Sequence, residues 1–204
     1  MRSSMLRIKD DENYYIMRII AGKFRGRNLV DSLHLKKTLR PTTDMAREAL
    51  FNILFSAKSL KKIGFELVDA NVLDLCCGTG AVAFEALSRG AKFVTLIDND
   101  RTHLELAKQN AALLKVESEA KILQLDARKL PQNTEDFDLI FIDPPYREDY
   151  EGIVKSLLEK GWIQKKSLVV IEFDSTSDLK NISELLKEVE TRNYGKTSFG
   201  FFTI

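Results

Sequence analysis

Cysteine is nearly absent from this 204-residue chain, with only Cys76 and Cys77, side by side. Neighbouring cysteines make a poor structural bridge, and no spaced Cys/His set is available for a structural zinc. Neither a disulfide framework nor a metal is expected, and a reducing cytoplasm suits such a composition. Long apolar runs are missing too: none approaches the ~20 residues of a membrane span. The opening MRSSMLRIKDDENYY has no apolar centre of the kind a secretion signal needs. There are no internal repeats, low-complexity tracts or long linkers, so one core, or one core with a small appendage, is expected. A large overall charge is lacking as well, the net being +1.

That near-neutrality hides an uneven distribution. Residues 17–40, MRIIAGKFRGRNLVDSLHLKKTLR, hold seven Lys/Arg against one Asp, a net of +6. Residues 1–16 balance at zero, which leaves −5 for residues 41–204. A basic segment on a mildly acidic body suits a polyanion-binding arm, with Lys23, Arg25 and Arg27 as its candidate contacts; a solvated basic surface is the competing reading. Residues 17–30 read as a β-hairpin around GKFRG, where Phe24 and the glycines favour order over a loose tail. In LRPTTDMAREALFNILFSAK, Thr42, Thr43 or Asp44 can cap a helix whose apolar face carries Ala46, Ala49, Leu50, Ile53 and Leu54. Arg47 and Asn52 fall off that face, where solvation or support of the Arg40 loop are both open.

From residue 71 the pattern alternates. Strands are predicted at 71–75, 93–97, 121–125, 137–142 and 168–173, with helices at 80–89, 100–115 and 149–160. A late helix near 182–188 and a strand at 198–203 complete the chain. This alternation predicts an α/β fold, a mostly parallel sheet with helices on both faces. Ligands of such sheets sit at the carboxyl ends of the strands.

The strand ends carry the chemistry. NVLDLCCGTGAVAFEAL runs a buried strand into a turn where Gly78 and Gly80 allow close approach to a ligand. The spacing Gly78-x-Gly80-x-x-Ala83 meets a relaxed dinucleotide fingerprint, and Asp98 lies 20 residues beyond Gly78. A nicotinamide-dependent dehydrogenase is therefore a competitor. Asp74, ahead of the turn, suits an ammonium group better than a pyrophosphate, and S-adenosylmethionine has an ammonium, a ribose and no phosphate. Asp126 ends the third strand in AKILQLDARKL, where class I methyltransferases, which this series of strand ends resembles, set an acid or amide beside the adenine amino group. The order Asp74, glycine turn, Asp98 resembles that of class I methyltransferases.

FDLIFIDPPY ends the fourth strand with an acid, two prolines and a tyrosine. Prolines cannot continue a central strand, so the chain leaves the sheet rigidly here. DPPY, residues 143–146, matches the amino-methyltransferase signature. An exocyclic base amine is a poor nucleophile, and acceptors on its N–H groups orient it and stabilise the charge that develops. Asp143 through its carboxylate and Pro144 through its carbonyl are the natural acceptors, Pro145 stiffens them, and Tyr146 offers a face to an unstacked base. Asp138, near the strand's start, reads as structural. His34 and His103 are not needed as bases. Trp162, the Phe199–Phe202 run and the two cysteines read as packing.

Together, MRIIAGKFRGRNL, LRPTTDMAREALFNIL, LDLCCGTGAVAFEALSRGA and LIFIDPPY closely resemble the RsmD family. Its members are bacterial enzymes that methylate guanine N2 in 16S small-subunit ribosomal RNA, at position 966 in the usual rRNA numbering. The resemblance runs from residue 17 to the end, where RNYGKTSFGFF is similar to the family's closing hairpin. It implies a class I, Rossmann-like seven-stranded sheet preceded by a β-hairpin and helix. Residues 1–16 would be a leader without fixed structure, 17–60 the basic hairpin and helix, and 61–204 the methyltransferase domain. It also implies S-adenosylmethionine bound by Asp74, Gly78, Gly80, Asp98 and Asp126, with Arg40 and Thr42 near its carboxylate. Catalysis would fall on Asp143, Pro144, Pro145 and Tyr146, and 16S rRNA, free or within a small subunit or assembly intermediate, would be the partner. Cys76-Cys77 departs from the family's Phe-Ala-type pair, and residues 1–16 have no counterpart. An adenine-N6 methyltransferase sharing the four-residue signature, and a non-enzymatic ribosome-assembly factor, are the alternatives.

Overall fold

Strands buried on both faces can only lie in the middle of a sheet, and the segments NVLDL, LIFI and LVVIEFD do so here. The computed structural model describes residues 17–31, 44–144, 149–177 and 179–204. Seven strands form one sheet: β1 (Asn71–Leu75), β2 (Phe93–Asp98), β3 (Ala120–Gln124), β4 (Leu139–Ile142), β5 (Leu168–Asp174), β6 (Lys187–Tyr194) and β7 (Thr197–Thr203). Their order is β3-β2-β1-β4-β5-β7-β6. The first five neighbours run parallel, and β7 is antiparallel to both β5 and β6. The order reverses between β1 and β4, the crevice where such sheets bind ligands.

Alternation along each strand divides the core into two layers. Val72, Val94, Leu96, Phe141 and Val170 share one with α1 (Asp44–Ser56), α2 (Lys58–Lys62), α3 (Ala81–Ser88) and α4 (Arg101–Leu114). Leu73, Leu75, Ile140, Ile142 and Ile171 share the other with α5 (Tyr150–Glu159), α6 (Lys180–Ser183) and Trp162. In α4 the stripe Leu104, Ala107, Ala111 and Leu114 faces inward, and the Asp100 carboxylate caps the helix by accepting from Thr102 N at 2.7 Å. Trp162 stacks on Phe137 at 5.8 Å and donates from Nε1 to Pro131 O, so it is a packing residue, as read. Asp138 accepts from Asn71 N at 2.9 Å and locks the start of β1 to that of β4, again structural. Among the described residues, no helix is long and apolar enough to cross a membrane.

Three details differ from the sequence reading. The hairpin at 17–30 contains a single bridge, Arg18 to Asn28, rather than two strands. Ile19 N donates across it to Arg27 O at 2.9 Å and Leu29 N to Met17 O at 2.8 Å. Other donors turn to α3: Ile20 N and Ala21 N donate to the Glu85 carboxylate at 2.7 and 3.0 Å, and Phe24 N donates to Ser88 Oγ at 2.9 Å. The late helix spans only Lys180–Ser183; residues 184–186 turn, and the edge strand β6 begins at Lys187. Arg47 is not off the packed face of α1: it is fully buried, with Nη2 donating to Arg18 O at 2.6 Å and Asp44 Oδ1 at 2.8 Å.

The arm is thus folded against the sheet domain. Met17, Ile19, Phe24 and Leu29 belong to the same core layer as α1, α3 and α4. At Gly22 (φ 80) a Cβ would lie 1.8 Å from Ser88 O, so only glycine permits this approach.

Candidate active site

The backbone carries the sheet's bonding beyond its strand ends and so gathers the acids on one edge. Leu125 N donates to Asp98 O at 3.1 Å, Cys77 N to Ile97 O at 3.0 Å, and Asp143 N to Leu75 O at 3.3 Å. These ties align the exits of β3, β2, β1 and β4, which bear Asp126, Asp98, Asp74 and Asp143. The expected residues Arg40, Thr42, Pro145 and Tyr146, like the leader 1–16, lie outside the described residues.

The two glycines of the turn serve different needs. Gly80 (φ 82) precedes α3 where a Cβ would meet Leu96 Cδ2 at 2.5 Å and Phe84 Cε2 at 2.6 Å, so it is required for packing. Gly78 (φ 54) needs its conformation only, and a Cβ there would meet nothing within 4 Å. The chain reaches this turn through Cys76, itself at φ 63, an uncommon conformation for a side-chain-bearing residue. Burial pushes the Cys77 thiol well above its usual pKa, consistent with a packing role.

Each acid is held by backbone donors. Asp74 Oδ2 accepts from Ala83 N in the first turn of α3 at 3.0 Å. Burial raises the Asp74 pKa to about 7, the Ala83 N–H opposes that rise, and the charges of Asp98 and Glu172 add to it. Asp98 Oδ2 accepts from Gly78 N and its Oδ1 from Asp100 N, both at 2.9 Å. His103 Nδ1 stands 3.5 Å from Asp98 Oδ1, and this carboxylate raises the histidine's pKa against its partial burial. Asp126 accepts from Arg128 N at 2.9 Å and Nε at 3.1 Å, a pairing that lowers its pKa. Pro144 is buried and Asp143 half-buried.

This donor set discriminates between ligands. In a dinucleotide fold the glycine-turn amides face a pyrophosphate, but here Gly78 N is committed to Asp98. Phosphates would also meet three carboxylates along the edge. The site instead suits a ligand rich in N–H and O–H donors and positive charge, as S-adenosylmethionine is. No group of three His, Cys, Asp or Glu residues that could hold a metal occurs among the described residues.

Comparison with known proteins agrees with this chemistry. A family model described as "Conserved hypothetical protein 95" matches residues 17–203. Ribosomal RNA small subunit methyltransferase D of Haemophilus influenzae is 36% identical over 182 residues, spanning 86% of this chain and 89% of that protein. The chain belongs to the RsmD family. A crystallised putative methylase from H. influenzae superposes with a TM-score of 0.70 at 30% identity, over 92% of this chain and 98% of that one. A putative methyltransferase from Escherichia coli gives 0.73 at 30% identity, over 91% and 96%. The chain therefore has the class I methyltransferase fold, and S-adenosylmethionine is the cofactor this fold and its carboxylate acceptors serve.

The basic arm lies elsewhere. Its two ends are tied at the glycine turn: Thr79 Oγ1 donates to Met17 Sδ at 3.5 Å, and Asn110 Nδ2 donates to both Thr79 O and Val30 O at 3.0 Å. Its tip runs down α3, where Lys23 N donates to Ser88 O at 2.7 Å. Arg27 Nη1 donates to Leu113 O, near the end of α4. Eight residues of helix, about 12 Å, separate Ser88 from the turn. Lys23, Arg25 and Arg27 therefore flank the amino edge of the sheet, not the edge that bears Asp143.

Two polar residues in this region escaped the sequence reading. Glu85 is fully buried and accepts from Arg89 Nε at 2.6 Å as well as from the arm; a lone acid in the apolar run AVAFEAL was the available signal. Asn110, also fully buried, interrupts the apolar stripe of α4, and its Oδ1 accepts from Val30 N at 2.7 Å.

Proposed function

We propose that this RsmD-family chain methylates the exocyclic N2 amine of a guanine in 16S ribosomal RNA, at the position the family resemblance implies. Support comes from one arrangement above all: Asp126, Asp98 and Asp74 end or approach the ends of three neighbouring strands, and Asp143-Pro144 ends the next. Relatives named ribosomal RNA small subunit methyltransferase D support the substrate class.

S-adenosylmethionine, when bound, supplies an electrophilic methyl carbon on a positively charged sulfur. In this reading Asp98 holds the ribose hydroxyls, Asp126 the adenine amino group and Asp74 the ammonium, while Gly78 leaves room for the ligand's approach. Arg40 and Thr42 serve its carboxylate. Asp143 and the Pro144 carbonyl accept the two N–H bonds of the guanine amine and aim its lone pair at the methyl carbon. Pro145 stiffens that strand exit and Tyr146 stacks on the base. As the N–C bond would form and the methyl–sulfur bond break, leaving S-adenosylhomocysteine, positive charge would grow on the amine, where Asp143 would stabilise it until a proton passes to solvent. The reaction is set in the cytoplasm, on free rRNA or an assembling small subunit.

The test is nucleoside mass spectrometry of 16S rRNA and of small subunits incubated with the protein and isotopically labelled S-adenosylmethionine. N2-methylguanosine at a single position is the expected product. N6-methyladenosine would move the assignment to the adenine class, and no methylated nucleoside on either substrate would contradict it.

A further inference from the structure

We propose that the turn joining β6 to β7 is a second RNA-contacting surface, gripping the single-stranded segment beside the target nucleotide through Arg192, Tyr194 and Lys196. The inference rests on the reading of RNA as substrate, and it starts from where the turn lies. Thr197, the first residue of β7, pairs with Asp174, the last of β5, and Ser175 N donates to Lys196 O at 2.9 Å. The turn therefore projects from the carboxyl edge of the sheet. β5 in turn pairs with β4, with Ile142 opposite Ile171, so β7 stands two strands and β6, which carries Arg192 and Tyr194, three strands away from the Asp143 exit. Two to three strand spacings are about 10–15 Å, within reach of nucleotides flanking a base held at Asp143. The tip of the basic arm, with Lys23, Arg25 and Arg27, lies at the opposite edge, away from that stretch of RNA.

The chemistry of the turn fits the occupant. The segment TRNYGKT, residues 191–197, carries two cations and no acid. Arg192 exposes 58% of its side chain, and Glu190 accepts from its Nε and orients it. Tyr194 is 39% exposed, and its ring is braced at 6.2 Å against Phe199 from the core. Arg192 opposes Phe199 across the ladder, and Tyr194 lies two residues further on, so both share one face of β6. Gly195 (φ 65) has the first-position conformation of a tight hairpin turn, which sets Tyr194 and Lys196 on either side of it. A rigid, half-exposed ring flanked by cations is the arrangement that holds single strands: bases stack on the ring and phosphates meet the charges.

The test measures affinity for in-vitro-transcribed 16S rRNA across a salt series, using wild type, Tyr194→Ala, Tyr194→Phe and the Arg192→Ala/Lys196→Ala pair. Melting curves and S-adenosylmethionine affinity report on the fold. Tyr194→Ala should weaken RNA binding roughly tenfold and raise KM for RNA in proportion, with Tyr194→Phe restoring both. The paired variant should reduce the slope of log K against log salt by about 1.4, two single-strand phosphate contacts. Wild-type affinity and slope in all variants would overturn the proposal. A response on assembled subunits alone would overturn it too, by pointing to a protein partner. If the variants lose RNA affinity while wild type makes no N2-methylguanosine, the surface stands and the assigned chemistry falls. If wild type makes it and the variants match it in KM, the reverse holds.

Discussion

The two edges of the sheet both concentrate charge, yet they use it in opposite ways. At the amino edge the charges cancel one another in the interior. Glu85 takes Arg89 Nε and two arm amides, with the buried Arg47 Nε 3.8 Å away. At the carboxyl edge, Asp74 and Asp98 accept mainly from backbone N–H groups of the turns, and no lysine or arginine pairs with them among the described residues. Backbone amides fix a carboxylate's position without neutralising its charge. The first arrangement fastens the arm; the second leaves oriented negative charge for a cationic ligand.

The contrast predicts different kinds of damage. Glu85→Ala should be the most destructive change, costing about 3–5 kcal/mol of stability, because it leaves buried cations and amides without their acceptor. Hydrogen exchange should show residues 17–31 losing protection first, and an unchanged melting curve would remove the proposed division between the edges. Asp98→Ala should leave melting nearly intact and weaken S-adenosylmethionine by at least about tenfold, since bonds to a charged acceptor contribute roughly 1.5–3 kcal/mol each. Calorimetry giving wild-type affinity would detach β2 from cofactor binding.

Asp74 sharpens the comparison through pH. Burial raises its pKa to about 7, so it is neutral below that value and charged above it. A cationic ligand binds the charged form better. Cofactor affinity should therefore fall as pH drops below about 7, by at most about tenfold per unit, and level off above it. Titration by calorimetry should show that profile, with Asp74→Asn flattening it; a flat wild-type profile would argue against contact with the ammonium. The smallest effect belongs to the arm. Replacing Lys23, Arg25 and Arg27 with Ala should flatten the salt dependence of RNA binding by up to about two units, with cofactor affinity unchanged. An unaltered slope would make the arm a solvated surface.

Much of the carboxyl edge was legible because its signals are local. The order of strand, glycine turn and helix places Asp74, Gly78 and Gly80 within one short segment, and the strands β1, β2 and β5 lie within a residue of where alternation put them. Contacts distant in sequence were not legible. Arg47 looks solvated on a helical wheel because its neighbours Arg18 and Glu85 lie 29 and 38 residues away. The start of β6 was misread as helix because an edge strand open to solvent has no apolar face to reveal its period, whereas its end forms the closing hairpin expected at RNYGKTSFGFF. The hairpin's docking on α3, through the Ile20, Ala21 and Phe24 amides to Glu85 and Ser88, was likewise invisible to local pattern.

The central claim is that Asp143 acts on the guanine amine during methyl transfer and not on the cofactor. Single-turnover methylation of 16S rRNA by wild type and Asp143→Ala, at saturating S-adenosylmethionine and with cofactor affinity measured in parallel, tests this most directly. The account predicts a rate loss of about 10²–10³, the size of a lost transition-state acceptor, with cofactor affinity and melting temperature preserved. A wild-type rate in the variant, or a loss explained wholly by weakened cofactor binding, would contradict it.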